Sequence, residues 1–138
     1  MFEILRKGSR IVLALLILTA FSIPFNPVSL AIASDRDPYF IDLENIRGST
    51  EKVRIWTLTD YTNIQVTKKI NYQSIKSFVE INCQSKKMRI LAYSLYEQPM
   101  AKGKVVFSKG RPFEWEDVKP STVNGLFLNV SCSRFVID

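Results

Sequence analysis

Alternation of apolar and polar positions dominates the middle of the chain. It runs through residues 53–59 and again through 72–83, and residues 88–97 follow as a returning strand with apolar residues on both faces. A two-residue repeat is typical of β-strands that pack one face against a core. Because only the polar tetrapeptide 84–87 separates the last two segments, we expect them to form an antiparallel hairpin.

The same alternation assigns the side chains of this hairpin to faces. In the first strand, one face holds Ile75, Ser77, Val79, Ile81 and Cys83. In the second strand, one face holds Ile90, Ala92, Ser94 and Tyr96, and the other holds Arg89, Leu91, Tyr93 and Leu95. Cys83 is therefore expected to point toward the core with the apolar set.

Weaker signals indicate three shorter strands around the hairpin. Residues 39–43 alternate loosely after a proline, 102–108 contain a Val-Val-Phe run, and 113–118 read as a sixth strand or an extended arm. The segments 44–50 and 60–70 are expected to be a turn and a polar loop. The predicted sheet therefore has about six strands.

The C-terminal segment changes to a helical repeat. Its apolar residues recur at positions i, i+3, i+4 and i+7, which makes one stripe along an α-helix. They are Val123, Leu126, Phe127 and Val130. Ser121 or Thr122, which follow a proline, can cap this helix. Gly125 is expected to weaken it by about 1 kcal/mol relative to alanine.

Residues 1–33 have the three-part layout of a cleavable secretory signal peptide. A basic stretch comes first, an uncharged apolar run follows, and Ala31 and Ala33 supply the small residues that a signal peptidase recognises. Cleavage after Ala33 would leave one domain, 34–138, with no membrane-spanning segment. The alternative is an uncleaved anchor, which the brevity of the apolar run disfavours.

Two cysteines, Cys83 and Cys132, are the only ones in the sequence. In an exported domain, such a pair is expected to form a structural disulfide. Closing a loop of this length stabilises a fold by about 4 kcal/mol. A redox-active pair or a metal site would need closer spacing or more ligands than two thiolates. The bridge would fasten the C-terminal helix to the sheet.

Histidine is absent from the sequence. Catalytic triads and metal sites that depend on an imidazole are therefore excluded, and we expect no catalytic residue, no metal and no cofactor. Glu114 and Glu116 would share one face of a strand and could act as an acid–base pair. The interpretation that we favour for them is a charged edge or turn.

The charge balance of the chain is basic, with a formal net charge of +6. Loss of the signal peptide removes three basic residues and one acidic residue, which leaves 16 against 12 and a net charge of +4. The basic residues are scattered, which disfavours a nucleic-acid partner and favours acidic protein partners. The candidate contacts are Lys86, Lys87, Arg89, Lys102, Lys104, Phe78, Tyr93 and Tyr96. The alternative is that these aromatic residues are core and the lysines only solubilise the surface.

Spaced aromatic, acidic and small residues recur along the whole predicted domain. The most characteristic are Trp56, Asp60, Tyr61, Tyr72, Ser74, Lys76, Glu80, Gly103 and Trp115. In order and spacing, together with both cysteines, they resemble the surface-adhesin protein E family of exported bacterial proteins. Two places depart from the family pattern. Ala101 stands where the family usually has glycine, and 120–122 replaces a usual Pro-Gly-Ser turn.

The resemblance implies an α+β fold, in which a curved antiparallel sheet of about six strands carries a C-terminal helix that the disulfide holds on its concave face. It also implies binding to host matrix or serum proteins, homodimers and, in some members, haem binding, which the missing histidine disfavours here. We expect an exported, non-enzymatic binding module in the periplasm or at the cell surface of a Gram-negative-type bacterium. The alternative is a periplasmic housekeeping protein, such as a ligand-binding or inhibitor domain, with no host partner.

Overall fold

The computed structural model describes residues 37–135, which form seven β-strands and one C-terminal α-helix. The strands are β1 (Tyr39–Ile41), β2 (Arg47–Gly48), β3 (Lys52–Thr67), β4 (Ile70–Asn82), β5 (Lys87–Tyr96), β6 (Val105–Lys109) and β7 (Glu116–Asp117), and the helix is α1 (Val123–Ser133). The predicted signal peptide and its cleavage site lie outside the described residues.

The strands form one antiparallel sheet in the order β1-β3-β4-β5-β6. Two further strands of two residues each complete it, because β2 pairs with β3 and β7 pairs with β5. The predicted α+β fold, with an antiparallel sheet and a C-terminal helix, is confirmed. The seventh strand is β2, which lies in a segment that was expected to be only a turn.

The core lies between α1 and one face of the sheet, which we call the inner face. Residues of β1, β3, β4 and β5 whose side chains point to this face pack beneath Phe127 and Leu128 of the helix. The buried sheet residues of this cluster are Ile41, Val53, Ile55, Val79, Ile81 and Met88. Alternation along each strand sends the neighbouring side chains to the opposite side, which we call the outer face.

The helix begins at a side-chain cap. The Thr122 hydroxyl oxygen accepts a hydrogen bond from the Gly125 backbone N–H at 3.1 Å, as expected for an N-cap residue. A Cβ atom at Gly125 would lie 2.5 Å from the Pro120 carbonyl oxygen, so the chain needs glycine for this close approach. No helix in residues 37–135 is both long and apolar enough to cross a membrane.

A disulfide joins Cys83, just after β4, to Cys132 near the end of α1. The two Cα atoms lie 5.8 Å apart. Both cysteines pack against the core cluster, which confirms the prediction that Cys83 points toward the core. The bridge therefore fastens the helix to the sheet where they pack together, as the sequence predicted.

The predicted loop over 60–70 is wrong, because β3 continues to Thr67 and returns directly into β4. The two turn residues, Lys68 and Lys69, have φ angles of 43° and 65°. Positive φ at both positions is the geometry of a type I′ turn, where Asn-Gly is the usual sequence. Two lysines are not a typical sequence for a type I′ turn, so this hairpin could not be predicted from the sequence.

The predicted faces of β5 are wrong after a bulge in the strand. Ala92 pairs with Phe78, whereas Ile90 pairs with Val79, so Leu91 is one extra residue opposite β4. An extra residue exchanges the faces of everything beyond it. Tyr93 and Leu95 consequently share the inner face with Ile90, and Tyr96 lies on the outer face.

Candidate functional site

Aromatic and charged side chains from three neighbouring strands and a loop form a row across the outer face. Cross-strand pairing brings them together, since Trp56 lies opposite Phe78 and Glu80 lies between Arg54 and Arg89. We call this row the outer-face strip. Its members are Lys76, Trp56, Phe78, Arg54, Glu80, Arg89 and Trp115.

The aromatic half of the strip is a stacked pair. The ring centroids of Trp56 and Phe78 are 4.7 Å apart, with an angle of 27° between the ring planes. The Lys76 ammonium lies 4.9 Å from the centre of the Trp56 ring, close enough for a cation–π interaction. This packing fixes the rings, so little side-chain entropy would be lost when a partner covers them.

The charged half of the strip is organised by Glu80, whose side chain is only 3% exposed. Its carboxylate accepts hydrogen bonds from Arg54 Nε at 2.9 Å and from Arg89 Nη2 at 2.8 Å. Burial by itself raises the pKa of Glu80, but the hydrogen bonds from the two arginines outweigh burial and hold the pKa below its ordinary value of 4.5. Glu80 is therefore ionised at neutral pH.

The strip carries more positive than negative charge. Lys76 and the two arginines stand against the single carboxylate of Glu80, and the Arg54 side chain is 57% exposed. The Arg89 guanidinium also lies 4.5 Å from the centre of the Trp115 ring, which orients both side chains. Aromatic and arginine side chains in fixed positions are the usual anchors of protein–protein interfaces.

Several family-motif residues hold a loop rather than form a surface. The Asp60 carboxylate accepts a hydrogen bond from the Met100 backbone N–H at 2.8 Å. The buried Ser74 hydroxyl accepts one from the Ala101 N–H and donates one to the Gln98 carbonyl oxygen. These bonds lock the turn at Pro99–Ala101 against the outer face.

Tyr61 and Tyr72, two more motif residues, pack edge to face with ring centroids 5.8 Å apart. They lie where the pairing of β3 with β4 slips, between Asp60 and Gln65. Burial raises the pKa of Tyr61, and the neighbouring Tyr72, Tyr39 and Asp37 raise it further. The pair therefore stabilises the irregular part of the β3–β4 hairpin.

On the inner face, the helix leaves a cleft of about 520 Å³ open beside it, which we call the inner-face cleft. Its floor includes Ile75, Ser77, Tyr93 and Leu95, and Phe127 forms part of its wall on the helix side. Small-molecule sites in proteins commonly have such a volume and a mostly apolar lining. Glu114 and Glu116 lie at the exposed rim of this cleft.

The structure places the eight predicted partner contacts at separate sites. Lys86 and Lys87 lie at the β4–β5 turn, whereas Lys102 and Lys104 follow the other end of β5, roughly 30 Å away along the strand. Tyr93 lies in the inner-face cleft. Of the eight, Phe78 and Arg89 belong to the outer-face strip, and Tyr96 pairs with Ser74 on the same face.

Sequence reasoning missed the contribution of Arg54 to this site. The two-residue repeat puts Arg54 and Trp56 on one face of β3, and Phe78 and Glu80 on one face of β4. Only the register between the strands shows that these two faces are the same side of the sheet. Among residues 37–135, no group of acidic or cysteine side chains could hold a metal ion.

Comparison with known proteins gives a family and a fold. The sequence profile described as surface-adhesin protein E matches residues 27–133. No curated protein sequence matches the chain. Among solved structures, crystal form II of Haemophilus influenzae protein E is similar with a TM-score of 0.56 and 15% identity, covering 70% of this chain and 81% of that one.

A second structure, the selenomethionine form of Haemophilus influenzae protein E, has a TM-score of 0.57 and 13% identity, covering 78% of this chain and 93% of that one. Protein E from non-typeable Haemophilus influenzae has a TM-score of 0.54 and 13% identity, covering 84% and 85%. Identities this low support the fold alone, but the profile spans most of the chain. The chain therefore belongs to the surface-adhesin protein E family.

Proposed function

We propose that this protein is an exported, non-enzymatic binding protein that docks an extracellular protein partner on the outer-face strip. One observation carries the proposal: two stacked aromatic rings lie beside basic side chains whose charge exceeds that of Glu80. Family membership supports an adhesin-like role at the bacterial surface. The partner protein would present an acidic patch with apolar residues among the carboxylates.

The strip suits such a partner because its side chains are already held in place. The Trp56 and Phe78 rings are fixed by stacking, and Arg89 is fixed between Glu80 and Trp115. Arg54 keeps most of its side chain in solvent while its Nε atom bonds Glu80. A partner carboxylate could therefore bind the outer guanidinium nitrogens of Arg54 without breaking the existing ion pair.

Equilibrium binding of purified protein to matrix and serum proteins tests this proposal. The Arg54→Ala/Lys76→Ala variant should lose binding about tenfold or more, because truncated hot-spot residues cost 1–2 kcal/mol or more. The Lys102→Ala/Lys104→Ala variant is the matched control, since it removes the same charge from an exposed loop away from the strip. If both variants lose affinity equally, net charge and not the strip determines binding.

The Lys86→Ala/Lys87→Ala variant tests the predicted contacts at the hairpin turn separately. These two lysines lie at one end of β5, beyond Arg89 in the strip. A loss confined to this variant would move the partner site to the β4–β5 turn. Unchanged binding would leave the outer-face strip as the docking surface.

The inner-face cleft favours a second candidate function, a periplasmic protein that binds a small ligand. A volume of about 520 Å³ is sufficient for such a ligand. Ser77→Phe would fill the cleft floor without touching the outer-face strip, because Ser77 points to the inner face. Ligand-dependent thermal stabilisation that Ser77→Phe abolishes, with the mature protein found only in the periplasm, would support this function over adhesion.

A further inference from the structure

The β3–β4 hairpin continues past the rest of the sheet as a two-stranded ribbon, residues 61–73. Within the described part of the chain, the pairing of β1 with β3 ends at Thr59, and the pairing of β4 with β5 ends at Ser74. Beyond these points the two strands continue to the turn at Lys68 and Lys69, a reach of roughly 15 Å. We call this element the ribbon.

The ribbon exposes two large apolar side chains that are not part of the hydrophobic core. Ile64 is 63% exposed and Val66 is 67% exposed, the highest values among the large hydrophobic side chains in residues 37–135. Ile64 and Val66 are two positions apart in β3, so alternation places both side chains on the same side of the ribbon. The ribbon therefore presents an apolar pair to solvent.

The charge of the ribbon has one sign. Between Asp60 and Glu80 the sequence contains no acidic residue, and Lys68 and Lys69 lie at the tip. Asp37 lies at the base of the ribbon, where its carboxylate accepts a hydrogen bond from the Thr62 N–H at 2.9 Å. The tip therefore combines two positive charges with two exposed apolar side chains.

The two lysines occupy backbone conformations that lysine does not favour. Both have positive φ in a turn where Asn-Gly would relieve strain. The turn therefore holds two lysines at the tip of the ribbon at a conformational cost.

We propose that the ribbon tip binds the surface of an anionic lipid bilayer. Apolar side chains next to lysines suit the boundary between headgroups and acyl chains, where the lysines meet lipid phosphates. The tip needs to reach only the headgroup region, where water and lipid phosphates can still satisfy the unpaired backbone groups on the two edges of the ribbon. The strip and the cleft stay outside the membrane in this arrangement.

Co-sedimentation of the mature chain with vesicles tests the proposal. It should sediment with vesicles that contain phosphatidylglycerol, bind pure phosphatidylcholine vesicles much more weakly, and dissociate at high salt. Lys68→Asn/Lys69→Gly should weaken binding about 25-fold, because each lysine contributes about fivefold at an anionic surface. Ile64→Ser/Val66→Ser should also weaken it, by up to about tenfold for each side chain that inserts fully.

Matched control variants test whether lipid binding depends on the ribbon itself or only on the total charge and exposed apolar surface of the protein. Lys102→Asn/Lys104→Gly removes two exposed lysines elsewhere, and Val105→Ser/Phe107→Ser removes two exposed apolar side chains from β6. Both control variants should keep wild-type lipid binding. The proposal is overturned if the chain does not bind phosphatidylglycerol vesicles, or if the control variants lose as much binding as the ribbon variants.

Folding of each variant is verified by the presence of the disulfide and by an unchanged circular-dichroism spectrum. Lys68→Asn/Lys69→Gly provides the sharpest variant, because the same change should relax the turn while it weakens lipid binding. A loss of binding in a protein that has become more stable cannot result from misfolding. Unchanged lipid binding in that variant would contradict the role of the two lysines.

Discussion

Glu80 connects the three central strands of the sheet on the outer face. Its nearly buried carboxylate binds arginines from β3 and β5, the two neighbours of its own strand. A buried carboxylate without such partners would be strongly unfavourable. The arginines of the strip therefore have a structural role in addition to the proposed binding role.

Glu80 is expected to make the free energy of unfolding decrease as the pH becomes acidic. Because its folded-state pKa lies below the ordinary value of 4.5, its contribution is complete above that value and is lost as pH falls through the folded-state pKa. Urea unfolding at decreasing pH should show this loss. Glu80→Gln should cost about 2 kcal/mol at neutral pH and show a shallower acid dependence. An unchanged acid dependence in the variant would contradict the assignment.

Ala101 is a residue whose backbone conformation suits glycine better. Its φ angle is 54°, in the left-handed region that disfavours side chains with a Cβ. Ala101→Gly should therefore raise the free energy of unfolding by up to about 1 kcal/mol, measured in urea. Gly103→Ala is the opposite control, because Gly103 has a φ angle of 73° and should be destabilised by a Cβ. Destabilisation by Ala101→Gly would refute this account of the loop.

The residues that hold this loop could be singled out in the sequence, but their hydrogen-bond partners could not be predicted from it. Asp60 and Ser74 belong to the family pattern, yet their partners in the turn at Pro99–Ala101 lie 24 to 40 positions further along the chain. Alternation and spacing describe local geometry, whereas these bonds depend on how distant segments meet.

Elements with a clear period were predicted well, and those that depend on irregular geometry were not. The helix, β4 and the first half of β3 follow regular repeats of polarity. The second half of β3 is mostly polar because it belongs to the ribbon and covers no core. The bulge at Leu91 has no marker in the sequence, since neither glycine nor proline accompanies it.

The type I′ turn at the end of the ribbon can be stabilised by substitution. Lys68→Asn/Lys69→Gly should stabilise the protein by about 1–2 kcal/mol, because both positions have positive φ. Hydrogen exchange should slow most at the ribbon amides near the turn, if the hairpin frays locally in the wild type. A destabilised variant would show that the lysine side chains hold this turn by contacts of their own.

The disulfide holds the C-terminal helix on the sheet and so affects the stability of the whole molecule. Cys83 and Cys132 close a loop of 49 positions and hold Phe127 and Leu128 on the core. Cys83→Ser/Cys132→Ser should lower the free energy of unfolding by about 4 kcal/mol in urea. Reduction of the wild type should have a similar effect. A much smaller loss would mean that helix packing alone holds α1 on the sheet.

The whole molecule has two different faces, and the sequence could predict only part of each. Family resemblance and polarity gave the sheet, the helix and the bridge, but the outer-face strip depends on a register that alternation does not determine. The predicted contacts at Lys86, Lys102 and Lys104 were chosen for charge along the chain. The structure instead joins charge and aromatic rings across strands.

The central claim is that a protein partner docks on the outer-face strip, and the two tryptophans of the chain report on it directly. Trp56 and Trp115 are its only tryptophans, and both belong to the strip. Their indole N–H signals can be followed by NMR during titration with the matrix or serum protein that binds most tightly, with Trp115→Phe to assign them. The account predicts that both signals shift or broaden with saturation. Saturable binding that leaves both signals unchanged would contradict it.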